Sequence, residues 1–193
     1  MRFTTSFAII TAGFFLTSCG NNDMSLKGHL ENPLTAARYG EELADRMANL
    51  IIQNDPAVES IGQKVLEKKI AEAKDMAQQA RAIQDRGMFG GIIPIEQTVT
   101  GYGLYVDDTL YLSSDFMTDP GPSLHVYLSE IVDPRDGFPD SSALDLGQLK
   151  AAYGPSVYDV PPTKNPQLLR TLVFYDTELK IIYGFAQLST YAR

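Results

Sequence analysis

Hydrophobic residues change their spacing along the chain, and the change divides the sequence into segments of different structure. An apolar run at 7–16 follows Arg2. Residues 34–87 repeat apolar positions at spacings of three and four, as helices with one buried face do. Beyond residue 88, apolar and polar residues alternate, as strands do. We therefore expect a mainly β protein with α: an N-terminal α-helical hairpin followed by an antiparallel β-sandwich.

Two helices are predicted within 34–87. Thr35 is the candidate N-cap of the first, and Asp55, followed by Pro56, is the candidate N-cap of the second. Gly87 is the candidate stop signal. The second helix has a face of small residues that would allow close packing: Ala73, Ala77 and Ala80. We expect the hairpin to be a spacer or a packing cap, with a partner-binding or oligomerisation surface as the alternative.

Short strands are predicted within 95–193. Their expected ranges are 99–106, 109–112, 124–128, 157–160, 168–174, 179–183 and 185–188. Asp107 and Asp108 are predicted to form a hairpin turn. Residues 88–91 are predicted to form a hinge-like junction in front of the sheets. Short strands separated by proline, glycine and aspartate are typical of an antiparallel sandwich or barrel.

The start of the chain has the pattern of an export signal. The apolar run is too short to span a bilayer and ends in the residues LTSCG at 16–20. This motif resembles the bacterial lipobox, which implies a signal peptide at 1–18 and lipid on Cys19. Residues 19–33 are then a lipidated tether, with an ordered extension as the alternative. An ordinary signal peptide with a chance cysteine is the alternative to the lipobox.

Lipid on Cys19 would place the protein in the cell envelope. Several acyl chains anchor a protein durably, so the lipid anchor itself would be the membrane partner. By resemblance to Gram-negative sorting rules, Gly20 at the second position after cleavage, rather than aspartate, favours the outer membrane, facing the periplasm.

The composition of the chain limits the partners and the kinds of active or binding site that it can have. The net charge of −8 argues against nucleic acid as a partner. The single cysteine is Cys19. If it carries lipid, the rest of the chain has no disulfide, no thiol nucleophile and no sulfur-ligated metal. No hydrolase motif or phosphate-binding loop is present, so we predict no catalytic residue, no metal site and no cofactor.

Five stretches of the second half of the chain form a recognisable series: LYLSSDF at 110–116, PGPSLHVYLS at 120–129, LGQLK at 146–150 with YDVP at 158–161, LVFY at 172–175, and YGFAQL at 183–188. In this order they resemble the pattern of the DM-thirteen domain, also called the electron-transfer DM domain. The resemblance covers roughly residues 97–189. It implies the sandwich fold and, more weakly, a role in electron transfer.

One departure from the family pattern bears on function. The family commonly has a cysteine, proposed to be redox-active, after the aromatic residue of its penultimate strand. Here Tyr175 occupies that position, and Phe174 replaces the usual tryptophan. By this resemblance, electron transfer through that thiol is excluded for this chain.

Four residues of the strands are candidates for ligand binding. His125 and Tyr127 alternate with apolar residues of one predicted strand, and Tyr158 and Tyr175 lie in two others. Tyrosines on one face could form an aromatic surface for a glycan or peptide, although most are expected to be packing pairs. The acidic loop 133–140 is expected to be solvated rather than to bind calcium, because its spacing does not match an EF-hand.

Two functions follow from the sequence. The leading hypothesis is a non-catalytic binding or assembly module that presents its sheet or loops to an envelope protein or a glycan. The rival hypothesis is a redox or cofactor-binding protein that does not use a cysteine thiol. An envelope enzyme is the third hypothesis, and a buried polar cluster around His125 would support it.

Overall fold

The computed structural model describes residues 25–190. The predicted signal peptide and Cys19 lie outside the described residues. Within the described part, the helices are α1 Leu26–His29, α2 Pro33–Ile52, α3 Pro56–Ile61 and α4 Gln63–Gln84. No helix of this part combines the length and the apolar character needed to cross a bilayer.

Twelve strands follow the helices. They are β1 Met88–Gly91, β2 Ile93–Pro94, β3 Val99–Thr100, β4 Tyr102–Val106, β5 Thr109–Leu112, β6 Met117–Thr118, β7 Leu124–Ser129, β8 Leu144–Gln148, β9 Ser156–Asp159, β10 Thr171–Asp176, β11 Ile181–Gln187 and β12 Ser189–Thr190. The described residues are therefore mainly β with α, and the helices come first, as predicted.

The strands form two five-stranded sheets and one small ladder. The first sheet has the order β12-β1-β4-β5-β9, and the second has the order β2-β11-β10-β7-β8. β3 pairs only with β6. All pairings are antiparallel. The main core lies between the sheets and includes Leu110 and Tyr158 from the first and Val126, Leu172 and Phe174 from the second. This is the predicted antiparallel sandwich.

Helices α2 and α4 pack closely as the predicted antiparallel hairpin. Ala73, Ala77 and Ala80 are buried on α4, as the small-residue pattern indicates. Gly40 of α2 faces them, and a Cβ added at Gly40 would lie 2.6 Å from the carbonyl oxygen of Ala73. Only glycine therefore permits the observed separation of the two helices.

The helix ends differ from the prediction. Asn32, not Thr35, caps α2: its side-chain oxygen accepts from the Leu34 N–H at 3.0 Å. Asp55 caps only the six-residue α3, because Gly62 at φ +90° separates α3 from α4. The last helix ends at Gln84 rather than at Gly87.

The hairpin is attached to the first sheet near its base. The Asn32 side-chain amide donates to the carbonyl oxygen of Leu112 at 2.7 Å, and this bond is buried. Arg86 pairs with Asp107 at 2.7 Å on the surface. Residues 25–33 are part of the predicted tether, and they contain α1 and the Asn32 cap.

Three glycine-containing segments depart from the predicted strands. Residues 88–91 form β1, which lies between β12 and β4, rather than a hinge. The predicted strand 99–106 is broken at Gly101, whose φ is +114° and whose added Cβ would contact the Phe116 Cα at 2.8 Å. β11 runs through Gly184, where a Cβ would contact the carbonyl oxygen of Ile93 at 2.6 Å. The predicted Asp107-Asp108 turn is present, with positive φ at both residues.

Candidate functional site

His125 and Tyr127 lie on the face of the second sheet that is turned away from the first. Their neighbours Leu124 and Val126 point into the main core, as the alternation predicts. The Nδ1 of His125 lies 3.1 and 2.9 Å from the two carboxylate oxygens of Asp145 on β8. Because a carboxylate only accepts hydrogen bonds, Nδ1 carries the proton. The His125 side chain is 23% exposed and that of Asp145 is 43% exposed, so the pair reaches solvent.

Tyr127 and Tyr175 are brought together on this outer face by a third ring. Phe138, from the loop between β7 and β8, lies 5.2 Å from Tyr127 and 5.3 Å from Tyr175, measured between ring centroids. The two tyrosine rings are 6.2 Å apart, and all three contacts are edge-to-face. We call Tyr127, Phe138 and Tyr175 the outer aromatic cluster. Edge-to-face pairs of this kind stabilise packing beyond the area they bury.

The outer aromatic cluster is covered rather than open. Tyr127 and Tyr175 are each only 8% exposed, and Val173 and Phe185 pack beside them. Arg135 lies over the Phe185 ring, 5.8 Å from its centroid. A flat aromatic surface for a glycan needs accessible ring faces, and this cluster does not present them.

Tyr127 lies directly opposite Asp145 in the pairing of β7 with β8. Burial, followed by the negative charge and hydrogen bonding of Asp145, raises the pKa of Tyr127 to about 12. The phenol therefore keeps its proton at neutral pH and lies next to a group able to accept it. The His125 ring stacks on Tyr127 at 6.2 Å between centroids, which completes a continuous set of polar and aromatic side chains.

Tyr158 does not join this set. It is 1% exposed in the main core, on β9 of the first sheet. Its hydroxyl accepts a hydrogen bond from the Lys150 N–H at 2.9 Å, and the Lys150 ammonium lies 4.7 Å from its ring centroid. Burial raises the pKa of Tyr158. Of the four predicted ligand-binding residues, His125, Tyr127 and Tyr175 thus lie together on the outer face of the second sheet. Tyr158 packs in the main core instead.

Two members of the site were not predicted from the sequence. Asp145 alternates with Leu144 and Leu146, which was a detectable signal for a polar side chain on the outer face. Phe138 belongs to an irregular loop, and no periodic pattern places its ring against Tyr127 and Tyr175.

Asp176 is a buried acid at the end of β10, beside the site. Burial alone would raise its pKa, but hydrogen bonds outweigh this effect and lower it. Its carboxylate accepts from the backbone N–H groups of Ser123, Glu178 and Leu179, at 3.0, 3.0 and 2.9 Å. These hydrogen bonds compensate the buried negative charge of Asp176 and close a turn, so Asp176 has a structural role.

The acidic loop 133–140 is engaged in its own contacts. Arg135 binds both carboxylate oxygens of Asp133 and lowers the pKa of that carboxyl to about 2. Asp140 accepts from the hydroxyls of Ser129 and Ser142. Between residues 25 and 190, no three His, Asp or Glu side chains are grouped so that they could hold a metal ion.

A separate cleft of about 780 Å³ opens where the hairpin meets the sandwich. It lies between the end of α4, the β4–β5 turn and the loop that precedes β10. Its polar lining includes Arg86, Arg170 and Asp108, and its apolar lining includes Val106 and Leu188. Clefts of this size are common ligand sites, but none of the predicted site residues lines it.

Comparison with known families identifies the sandwich. Residues 95–188 match the family described as Electron transfer DM13, a range that leaves the helical hairpin outside. No curated protein and no solved structure matches the chain. The matched range contains the outer aromatic cluster, His125 and Asp145. Residues 95–188 of this chain are therefore similar to the electron-transfer DM13 family.

Proposed function

We propose that this chain is an envelope protein, held to a membrane by lipid on Cys19, whose DM13 domain takes part in electron transfer without a thiol. The only cysteine of the chain is Cys19, which the proposal assigns to the anchor. The position where the family commonly has a cysteine holds Tyr175. A redox role therefore needs another carrier within the domain.

The observation that carries the proposal is the contact of Tyr175 with Tyr127 through Phe138. Tyrosine can give up one electron when its phenolic proton leaves at the same time. Both tyrosines are buried, which shields a radical from solvent, and their rings are close enough to exchange the electron. In the step proposed, a tyrosine loses one electron to a high-potential one-electron oxidant, such as an oxidised haem or copper centre of a partner. The O–H bond breaks and its proton passes to a neighbouring base.

The test is photochemical oxidation of the purified full chain by a ruthenium(III) polypyridyl complex, followed by electron paramagnetic resonance. We expect a tyrosyl radical in the wild type and loss of most of its signal in the double variant Tyr127→Phe, Tyr175→Phe. The matched control is Tyr153→Phe, because Tyr153 is 68% exposed and lies outside the cluster. A radical of unchanged yield in the double variant would contradict the proposal.

A binding or assembly module, with an envelope protein or a glycan as partner, is the second candidate. The cleft beside Arg86 and Arg170 favours it. Tyr105 lines this cleft, and the chain has no tryptophan, so tyrosine fluorescence can follow ligand entry. Soluble peptidoglycan fragments are a suitable probe. A saturable change in tyrosine fluorescence on addition of the fragments would support this candidate if Arg170→Ala removes the change and Lys64→Ala preserves it. If the fluorescence of the wild type does not change, this counts against the candidate.

A further inference from the structure

The outer face of β7 and β8 places an acid, a histidine and a tyrosine side by side. Tyr127 and Asp145 are directly opposite in the strand register. His125 lies two residues before Tyr127 on the same face, and its Nδ1 is within 3.1 Å of both oxygens of Asp145. The carboxylate also accepts the Gly147 N–H at 2.8 Å. These two donors hold the carboxylate beside the tyrosine.

The charged and titratable groups around this trio are few. From β8 comes Asp145, and Gln148 lies opposite His125. From β10 come Tyr175, opposite His125, and Asp176, whose oxygens are already bonded to backbone N–H groups. The covering loop contributes Phe138, which has no ionisable group, and Arg135, which lies over the Phe185 ring and is paired with Asp133. Asp145 is thus the carboxylate placed to act as a base toward Tyr127.

We infer that Asp145 accepts the phenolic proton when Tyr127 is oxidised, and that His125 positions the Asp145 carboxylate for that transfer. The inference rests on the proposed function. The Tyr127 O–H bond breaks, an O–H bond forms on Asp145, and one electron leaves for the external oxidant. The product is a neutral tyrosyl radical beside a neutral carboxylic acid. Because the side chains of Asp145 and His125 are partly exposed, the proton can then exchange with solvent.

A base positioned beside a reacting proton accelerates its transfer. In the strand ladder Tyr127 lies opposite Asp145 on β8 and Val173 on β10, so Asp145 is the carboxylate opposite it. The wild-type oxidation rate should show a solvent deuterium isotope effect, and Asp145→Asn should change its size. That change would not arise if Asp145 only stabilised the fold.

The experiment measures the rate of tyrosyl radical formation in the full chain after flash oxidation with the ruthenium complex. Asp145→Asn should slow radical formation by about tenfold or more and change its solvent deuterium isotope effect. Asp145→Glu should recover part of the rate. His125→Ala should slow oxidation and His125→Gln, which retains a donor, should restore it. The control Asp159→Asn, on the exposed edge strand β9, should leave the rate unchanged.

The outcomes separate the two claims. If Asp145→Asn forms the radical at the wild-type rate and with the same solvent deuterium isotope effect, this inference is wrong and the proposed function stands. If the wild type forms no radical, the proposed function fails and the inference fails with it. Thermal unfolding of each variant shows whether a slower rate reflects a lost fold instead of a lost base.

Discussion

The environment of the Tyr127 hydroxyl shows how single residues determine the chemistry of the site. Phe138 and the β10 side chains exclude water from the ring, while Asp145 adds a negative charge at its polar end. Both effects disfavour the phenolate, and together they raise the pKa of Tyr127 to about 12. The same features that keep the proton on the tyrosine at neutral pH place a base where that proton would go on oxidation.

A pH dependence of stability follows from this pKa. An unfolded tyrosine loses its proton near pH 10, so the unfolded state binds fewer protons than the folded state between pH 10 and about 12. The contribution of Tyr127 to the free energy of unfolding is fully present below pH 10. It falls by about 2–3 kcal/mol as the pH rises through the folded-state pKa of Tyr127. Tyr127→Phe should weaken the fall in denaturation midpoint over this range. Tyr153→Phe is the control, and an equally steep fall in Tyr127→Phe would contradict the pKa assigned here.

The elements show where the sequence pattern was sufficient for prediction. Alternation placed Leu124 and Val126 in the core and His125 and Tyr127 on the opposite face, because side chains of a strand alternate strictly. The same pattern could not place Tyr158 relative to them, since the strand order decides which sheet β9 joins. Nor could it reveal the break at Gly101, which depends on a contact with Phe116 that is distant in sequence.

The hairpin offers a test at the level of packing. In an exposed helix interior, Gly→Ala would stabilise by about 1 kcal/mol through helix propensity. Gly40→Ala should instead lower the unfolding free energy, because the new Cβ would lie 2.6 Å from the Ala73 carbonyl oxygen. Chemical denaturation measures whether the substitution raises or lowers the unfolding free energy. Arg46→Ala, at an exposed position of α2, is the control, and a more stable Gly40→Ala variant would show that the helices are farther apart.

The attachment of the hairpin is testable through Asn32. Its side chain caps α2 and also donates to the buried carbonyl of Leu112. Asn32→Ser keeps a capping oxygen and removes the amide donor, so it should cost about 1–3 kcal/mol of stability. Asp55→Ala removes a cap at α3 only and should cost about 1 kcal/mol. If Asn32→Ser is neutral, the hairpin is a spacer that does not depend on this contact.

At the scale of the whole molecule, the chain joins a proposed lipid anchor, a docked helical hairpin and a sandwich similar to the DM13 family. Cys19→Ala should abolish labelling by radioactive palmitate and leave the precursor uncut by lipoprotein signal peptidase. Labelling that persists in the variant would contradict the anchor. Within residues 25–190 the main contacts of the hairpin are with the first sheet, so the hairpin does not cover the outer face of the second sheet.

The central claim is that the domain carries an electron on tyrosine and not on a thiol or a bound cofactor. Protein-film voltammetry of the purified full chain, with an absorption spectrum of the same sample, tests it most directly. We predict no haem, flavin or copper band and a proton-dependent one-electron oxidation that is lost in Tyr127→Phe, Tyr175→Phe and retained in Tyr153→Phe. An oxidation that survives the double substitution, or a cofactor band in the spectrum, would contradict the account.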